Sequence, residues 1–105
     1  MSGIEEAAEG KMHREYDSYE WDELKREANL VKHGIDFEDA RAAMAEEHLV
    51  LSADRPHEKR WIALAKVDGR LVAVVYTLRD RSCRIISARA ARRNERKTYN
   101  AHFGA

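Results

Sequence analysis

Two runs, WIALAKV (61–67) and LVAVVYTL (71–78), stand on either side of an Asp68-Gly69 pair. Both have strand length and are rich in β-branched and aromatic residues. Asp-Gly is the dipeptide that best tolerates the positive φ a type I′ turn needs at its two central positions. The chain is therefore committed to a tight antiparallel hairpin. The second run has no polar alternation, so both of its faces need cover. That places it at the centre of an antiparallel sheet, with helices over one face and partial cover over the other. HLVLS (48–52) and the segment from Arg84 to Arg89 supply two further strands of the meander. Asp80-Arg81 makes the turn before the last of them, and Pro56 marks the loop before the second.

Upstream of the meander the pattern is helical. YEW (19–21) reads as a short strand, and Asp22 after it is a residue that caps a helix by accepting from a free amide of the first turn. Leu24, Ala28 and Val31 then recur at i, i+4 and i+7, which predicts their stripe as the buried face. His33-Gly34 ends this helix, because glycine enters the left-handed conformation that helix C-termini favour. Asp36 caps a second helix whose buried stripe is Phe37, Ala40 and Met44. A last helix is expected over 91–101, so polar beyond Tyr99 and the nearby Phe103 that it must dock on something or serve as a binding face. The expected class is α+β: a short N-terminal strand, two helices, an antiparallel meander and a C-terminal helix. Residues 1–18 lack a steady apolar period and read as an N-terminal extension, leaving 19–105 as the domain.

The net charge of zero hides a separation. Residues 1–58 hold 16 acidic and 7 basic side chains, a balance of −9, whereas residues 59–105 hold 12 basic and 3 acidic ones, a balance of +9. Such asymmetry points either to a polyanionic partner or to acidic helices lying against basic strands. No run approaches the ~20 apolar residues of a membrane span. The acidic opening MSGIEEAAEG has neither the cationic start nor the apolar stretch of a secretory signal, so a cytoplasmic protein without membrane attachment is expected. The single cysteine, Cys83, lies in a strand and reads as a small buried hydrophobe.

Chemistry is narrowed by what the motifs omit. Five histidines occur without the spacing of a metal site, and there is no glycine-rich phosphate loop or nucleophile elbow, so neither metal nor cofactor is expected. What remains is cations, carboxylates, a histidine and a tyrosine. Metal-independent RNA cleavage needs this inventory: a base for the ribose 2′-OH, an acid for the leaving 5′-oxygen, and cations for the charge gathering on phosphorus. Arg60 and Arg89, each at a strand end, suit the last task, because guanidinium pairs bidentately with phosphate oxygens. Each is equally suited to an ion pair within the fold. His33 fits proton transfer or a helix C-terminal hydrogen bond, and Glu58 fits a base or a partner for Arg60. Tyr76 is either a hydrogen-bond donor to phosphate or a core ring, and Trp21 and Trp61 are either base-stacking platforms or core.

In order along the chain, WDE (21–23), Lys25, Asn29, KHG (32–34), Phe37, Ala40, E-x-R (58–60), DGR (68–70), VVYT (74–77), RIISAR (84–89), ER (95–96) and Tyr99 together resemble the BrnT toxins of bacterial and archaeal toxin–antitoxin modules. The resemblance covers about residues 19–100. It implies a RelE-like fold, an endoribonuclease that arrests translation without metal, and neutralisation by a BrnA-type ribbon-helix-helix antitoxin in a heterotetramer that alone contacts operator DNA. Position by position it carries over Lys25, Lys32, His33, Glu58, Arg60, Arg84 and Arg89. Joined to the chemistry, this gives His33, Glu58, Arg60 and Arg89 as candidate catalytic residues. Lys25, Lys32, Tyr76, Arg79, Arg84, Arg92 and Arg93 are the candidate RNA contacts. The competing expectation is a catalytically silent partner of a DNA-binding antitoxin in an autoregulatory complex.

Overall fold

Asp68 and Gly69 adopt φ values of 51° and 80°, as a type I′ turn demands, and around that hairpin the sheet is assembled. The computed structural model describes Tyr16 and residues 18–104. The elements run β1 (Ser18–Glu20), α1 (Glu23–His33), α2 (Phe37–Met44), β2 (Leu49–Ser52), β3 (Trp61–Val67), β4 (Arg70–Arg79), β5 (Ser82–Ala90) and α3 (Arg93–Phe103). The expected antiparallel meander is β2 to β5, with β4 inside it. The structure adds that β1 crosses to the far edge and pairs parallel with β5, giving a mixed five-stranded sheet in the order β1-β5-β4-β3-β2. The extension expected over 1–18 lies mostly outside the described residues. Tyr16 and Ser18, however, belong to the fold: Ser18 opens β1, and the Tyr16 hydroxyl donates to that of Tyr76 at 2.9 Å.

Both helix starts are capped as their aspartates imply. Asp22 Oδ1 accepts from the amides of Leu24 (2.8 Å) and Lys25 (3.2 Å), and Asp36 accepts from Glu38 at 3.0 Å. Gly34 closes α1 in the left-handed region at φ 72°. On α2, Phe37, Ala40 and Met44 are fully buried, and they pack with Val72, Val74, Tyr76, Cys83 and Ile85 in the main core on one sheet face. The polar α3 docks on the opposite face through Tyr99 and Phe103, whose rings lie 4.5 Å apart against a smaller cluster of Leu49, Leu64, Ala73 and Ala91. It covers only part of that face.

The apolar stripe expected to bury α1 points the other way. Leu24 and Val31 are 76% and 89% exposed, and Ala28 is exposed between them. The inward residue is Asn29, with Arg26 and His33 half-buried on either side. The cause is the surface that α1 meets. β1 pairs only with Ser82–Arg84, so the rest of that side of β5 presents unpaired backbone to the helix. Asn29 answers it: its amide donates to the Ala88 carbonyl (2.9 Å) and its carbonyl accepts from the Ala88 amide (3.2 Å), while a third bond reaches the Ile35 carbonyl at 3.0 Å. A buried strand edge needs a polar residue more than another leucine.

A cationic cleft on the open sheet face

Arg89 reaches the open face because β5 contains a bulge. Cys83 and Ile85 point into the main core, and strict alternation would send residues 87 and 89 there too. Between Val75 and Tyr76 the register with β5 slips: Val75 pairs with Ser87 and Tyr76 with Ile85, which leaves Ile86 as the extra residue. The parity changes, Ala88 enters the core and Arg89 turns outward.

The outward face holds two adjoining hollows. The first, about 420 Å³, is lined by Ala53, Asp54, Arg55, Arg60, Ile62, Val75, Ile86, Ser87, Arg89 and Arg92. The second, about 250 Å³, is lined by Lys25, Ala28, Asn29, Lys32, His33, Ile86 and Ser87. Ile86 and Ser87, the residues at the bulge, belong to both, so the two hollows adjoin there; together they are called the trough. Four arginines line one end, and two lysines and a histidine line the other.

Each wall is fixed by its own local structure. The β2–β3 connection folds back on itself around Pro56, with Arg55 and Glu58 bridged by reciprocal backbone bonds of 2.8 and 3.2 Å. Thr77 donates to the Lys59 carbonyl at 2.7 Å and pins this loop to β4. Asp54 accepts from the Arg60 amide at 3.2 Å, and Arg60 Nε donates to Glu58 at 2.6 Å. On the other wall Glu95 takes two bonds from Arg89, at 2.9 and 3.0 Å, and one from the Arg92 amide at 2.7 Å. Burial pushes the Glu95 carboxyl up, but the bonds from Arg89 and the Arg92 amide outweigh it and hold it below the usual carboxylate range. The Glu95 hydrogen bond correspondingly raises Arg89. Since an arginine side chain has no acceptor, this bond to the Arg92 amide is the only half of a capping box that can form.

The structure thus brings together six of the eleven expected residues: Arg60, Arg89 and Arg92 in the first hollow, Lys25, Lys32 and His33 in the second. Glu58 stands behind Arg60 as its ion-pair partner. The other four lie outside both hollows. Tyr76 is 1% exposed, stacked on Trp61 in the main core, with its hydroxyl turned to Tyr16, so its ring does not face the trough. Arg84 is tied to Glu20 at 3.0 Å, fastening β1 to β5. Arg79 lines a separate hollow at the β4–β5 turn, and Arg93 is exposed at the start of α3 outside the trough. Trp21 and Trp61 are likewise packed against the core, Trp21 edge-on to Phe37. Asp54, Arg55 and Ser87 also line the first hollow and were not among the expected residues. The turn around Pro56 was a usable signal for the first two, since a reversal at that proline returns 55 beside 58.

Among the described residues no group of three or more His, Cys, Asp or Glu is placed to hold a metal ion. The chain belongs to the BrnT toxin family: residues 21–95 match the family described as the ribonuclease toxin, BrnT, of type II toxin–antitoxin systems. The matched segment contains every residue that lines the trough and ends on Glu95. No curated protein matches the chain.

Proposed function

We propose that the trough is the active site of a metal-independent endoribonuclease with a RelE-like fold, which inhibits translation in the cytoplasm by cutting RNA. The observation that carries this reading is that the hollow lined by Arg55, Arg60, Arg89 and Arg92 adjoins the one lined by Lys25, Lys32 and His33, the two sharing Ile86 and Ser87. A phosphodiester laid over Ile86 and Ser87 meets guanidinium groups at the scissile phosphate, and its neighbouring phosphates run toward the lysines. The ribose 2′-oxygen attacks the adjacent phosphorus, the bond to the 5′-oxygen breaks, and the products carry a 2′,3′-cyclic phosphate and a 5′-hydroxyl. Arginines stabilise the charge that accumulates on the equatorial oxygens. His33 serves proton transfer, with Asp54 as the carboxylate in the first hollow for the opposite step. Glu58 and Glu95 hold Arg60 and Arg89 in position. The partner is a BrnA-type ribbon-helix-helix antitoxin, in a heterotetramer that contacts DNA through the antitoxin alone. No helix among the described residues is long and apolar enough to cross a membrane.

The test is incubation with a defined single-stranded RNA in EDTA, with end analysis. Wild type should leave cyclic phosphate ends, and Arg60→Ala and His33→Ala should each lower the rate by at least roughly 100-fold while keeping the fold. Binding should weaken steeply with added salt. The ion pairs Arg60–Glu58, Arg84–Glu20 and Arg89–Glu95 favour a second reading, a silent module in an antitoxin–DNA regulatory complex. Intact RNA with wild type, on and off the ribosome, would support it instead.

A further inference from the structure

Among the described residues the large hydrophobic side chains left exposed are Leu24, Leu30 and Val31, and all three lie on α1. Leu24, Ala28 and Val31 share one face at i, i+4 and i+7. In an 88-residue described fold that spends its other apolar residues on two cores, concentrating the exceptions on one helix marks a surface made to be covered. The charges beside it are ordered. Helical geometry places Lys25 and Lys32 along the flank nearest the sheet, where both line the second hollow, and Glu23 and Glu27 along the other flank.

We infer that the outer face of α1 is where the antitoxin seats an amphipathic helix, its apolar stripe on Leu24, Ala28 and Val31 and its acidic edge on Lys25 and Lys32. This rests on the ribonuclease reading above, because it assigns neutralisation to the same site: the acidic edge occupies the cations that RNA phosphates need. The face and the trough share Ala28, Lys25 and Lys32, so one ligand covers both. The family favours this occupant over a second copy of the chain, because a type II toxin is paired with an antitoxin. Copies meeting antiparallel along α1 bring lysines beside lysines, and copies meeting parallel set lysines beside glutamates, so a self-paired dimer is the competing outcome that the test reads.

The experiment uses the full chain and its co-expressed cognate antitoxin, with Leu24→Ser/Val31→Ser as the variant. Both side chains are solvent-exposed, so the variant should melt with wild type and cleave RNA at the same rate. Its affinity for antitoxin, by calorimetric titration, should fall by roughly 10- to 100-fold, the consequence of losing two buried aliphatic contacts. Antitoxin should also displace a fluorescent 2′-O-methyl RNA from wild type at stoichiometric amounts, and from the variant only at proportionately higher concentration. Undiminished antitoxin affinity in the variant overturns the inference by placing the interface elsewhere. So does a wild-type dimer, in light scattering, that the variant abolishes. If wild type binds antitoxin through α1 but never cleaves RNA, the ribonuclease reading fails while the docking surface stands, so the two results are separable.

Discussion

Replacing Glu95 with alanine removes one carboxylate that serves two walls of the trough. In the native fold it accepts two bonds from Arg89 and one from the Arg92 amide, with the Arg89 and Glu95 side chains only 17% and 8% exposed. Leaving one member of a buried pair without its partner costs about 3–5 kcal/mol. Arg89 borders an open hollow, so it can turn outward and recover part of its hydration, which sets the lower end of that range. The lost bond at the start of α3 adds about 1 kcal/mol. Because the losses share one carboxylate they do not sum fully, and a destabilisation of about 3 kcal/mol is expected. For a domain of this size that lowers the midpoint by roughly 12–24 °C. Urea titration at pH 7 reads the free energy, and a Glu95→Ala/Arg89→Ala cycle reads the coupling. A loss below about 1 kcal/mol, or a double mutant no more stable than the sum of the singles implies, would refute the assignment. In that case Arg89 is held by something other than Glu95.

The pH dependence follows from the same carboxylate and from Asp36, which Arg26 grips through bonds of 2.8 and 3.1 Å. The Arg26 hydrogen bond holds Asp36 below the usual carboxylate range, as Arg89 and the Arg92 amide hold Glu95. A depressed native value means the unfolded chain binds more protons, so this stability is fully present above about pH 5 and is lost as pH falls through the native values. Thermal midpoints measured from pH 7 to pH 2 should show that acid limb, and it should be shallower in Glu95→Gln. Cys83 should be inert in the native protein, since burial first and Glu20 second push its thiol up to about 12. A chromogenic disulfide reagent at pH 8 should react only after denaturant is added. Asn29→Leu should cost about 2–4 kcal/mol in urea titration, because it strands the buried amide and carbonyl of Ala88 and the carbonyl of Ile35.

Much of the fold was legible because local chemistry and tertiary need agreed. Asp22, Gly34, Asp36 and the Asp68-Gly69 pair act within a few residues of themselves, and each did what its side chain dictates. The α1 stripe misled because periodicity reports which residues share a face and not which face turns inward. A strand edge chose Asn29, and an apolar stripe was left for solvent. The same limit governed the site. A run of arginines near the C-terminus announced cations, yet which of them reach the trough depends on one extra residue in β5. Without the slip at Ile86, Arg89 would have the parity of Cys83 and Ile85. Arg79, Arg84 and Arg93 are as basic in sequence and lie elsewhere, because register and ion pairing with Glu20 are decided across the sheet. Tyr76 was decided by the same parity within β4.

The Asn29 amide has one more consequence, for solubility. A strand flank with open donors and acceptors is a template on which another chain can add its own strand, and sheets that grow this way end in insoluble material. β1 is three residues long and guards only the first third of β5. Beyond it, a side chain imitates the missing strand, answering one residue's amide and carbonyl together as a neighbour in a ladder does. The helix that carries this plug is thus a gatekeeper against self-templated growth, and whatever loosens α1 puts the molecule at risk of aggregating before it loses its core.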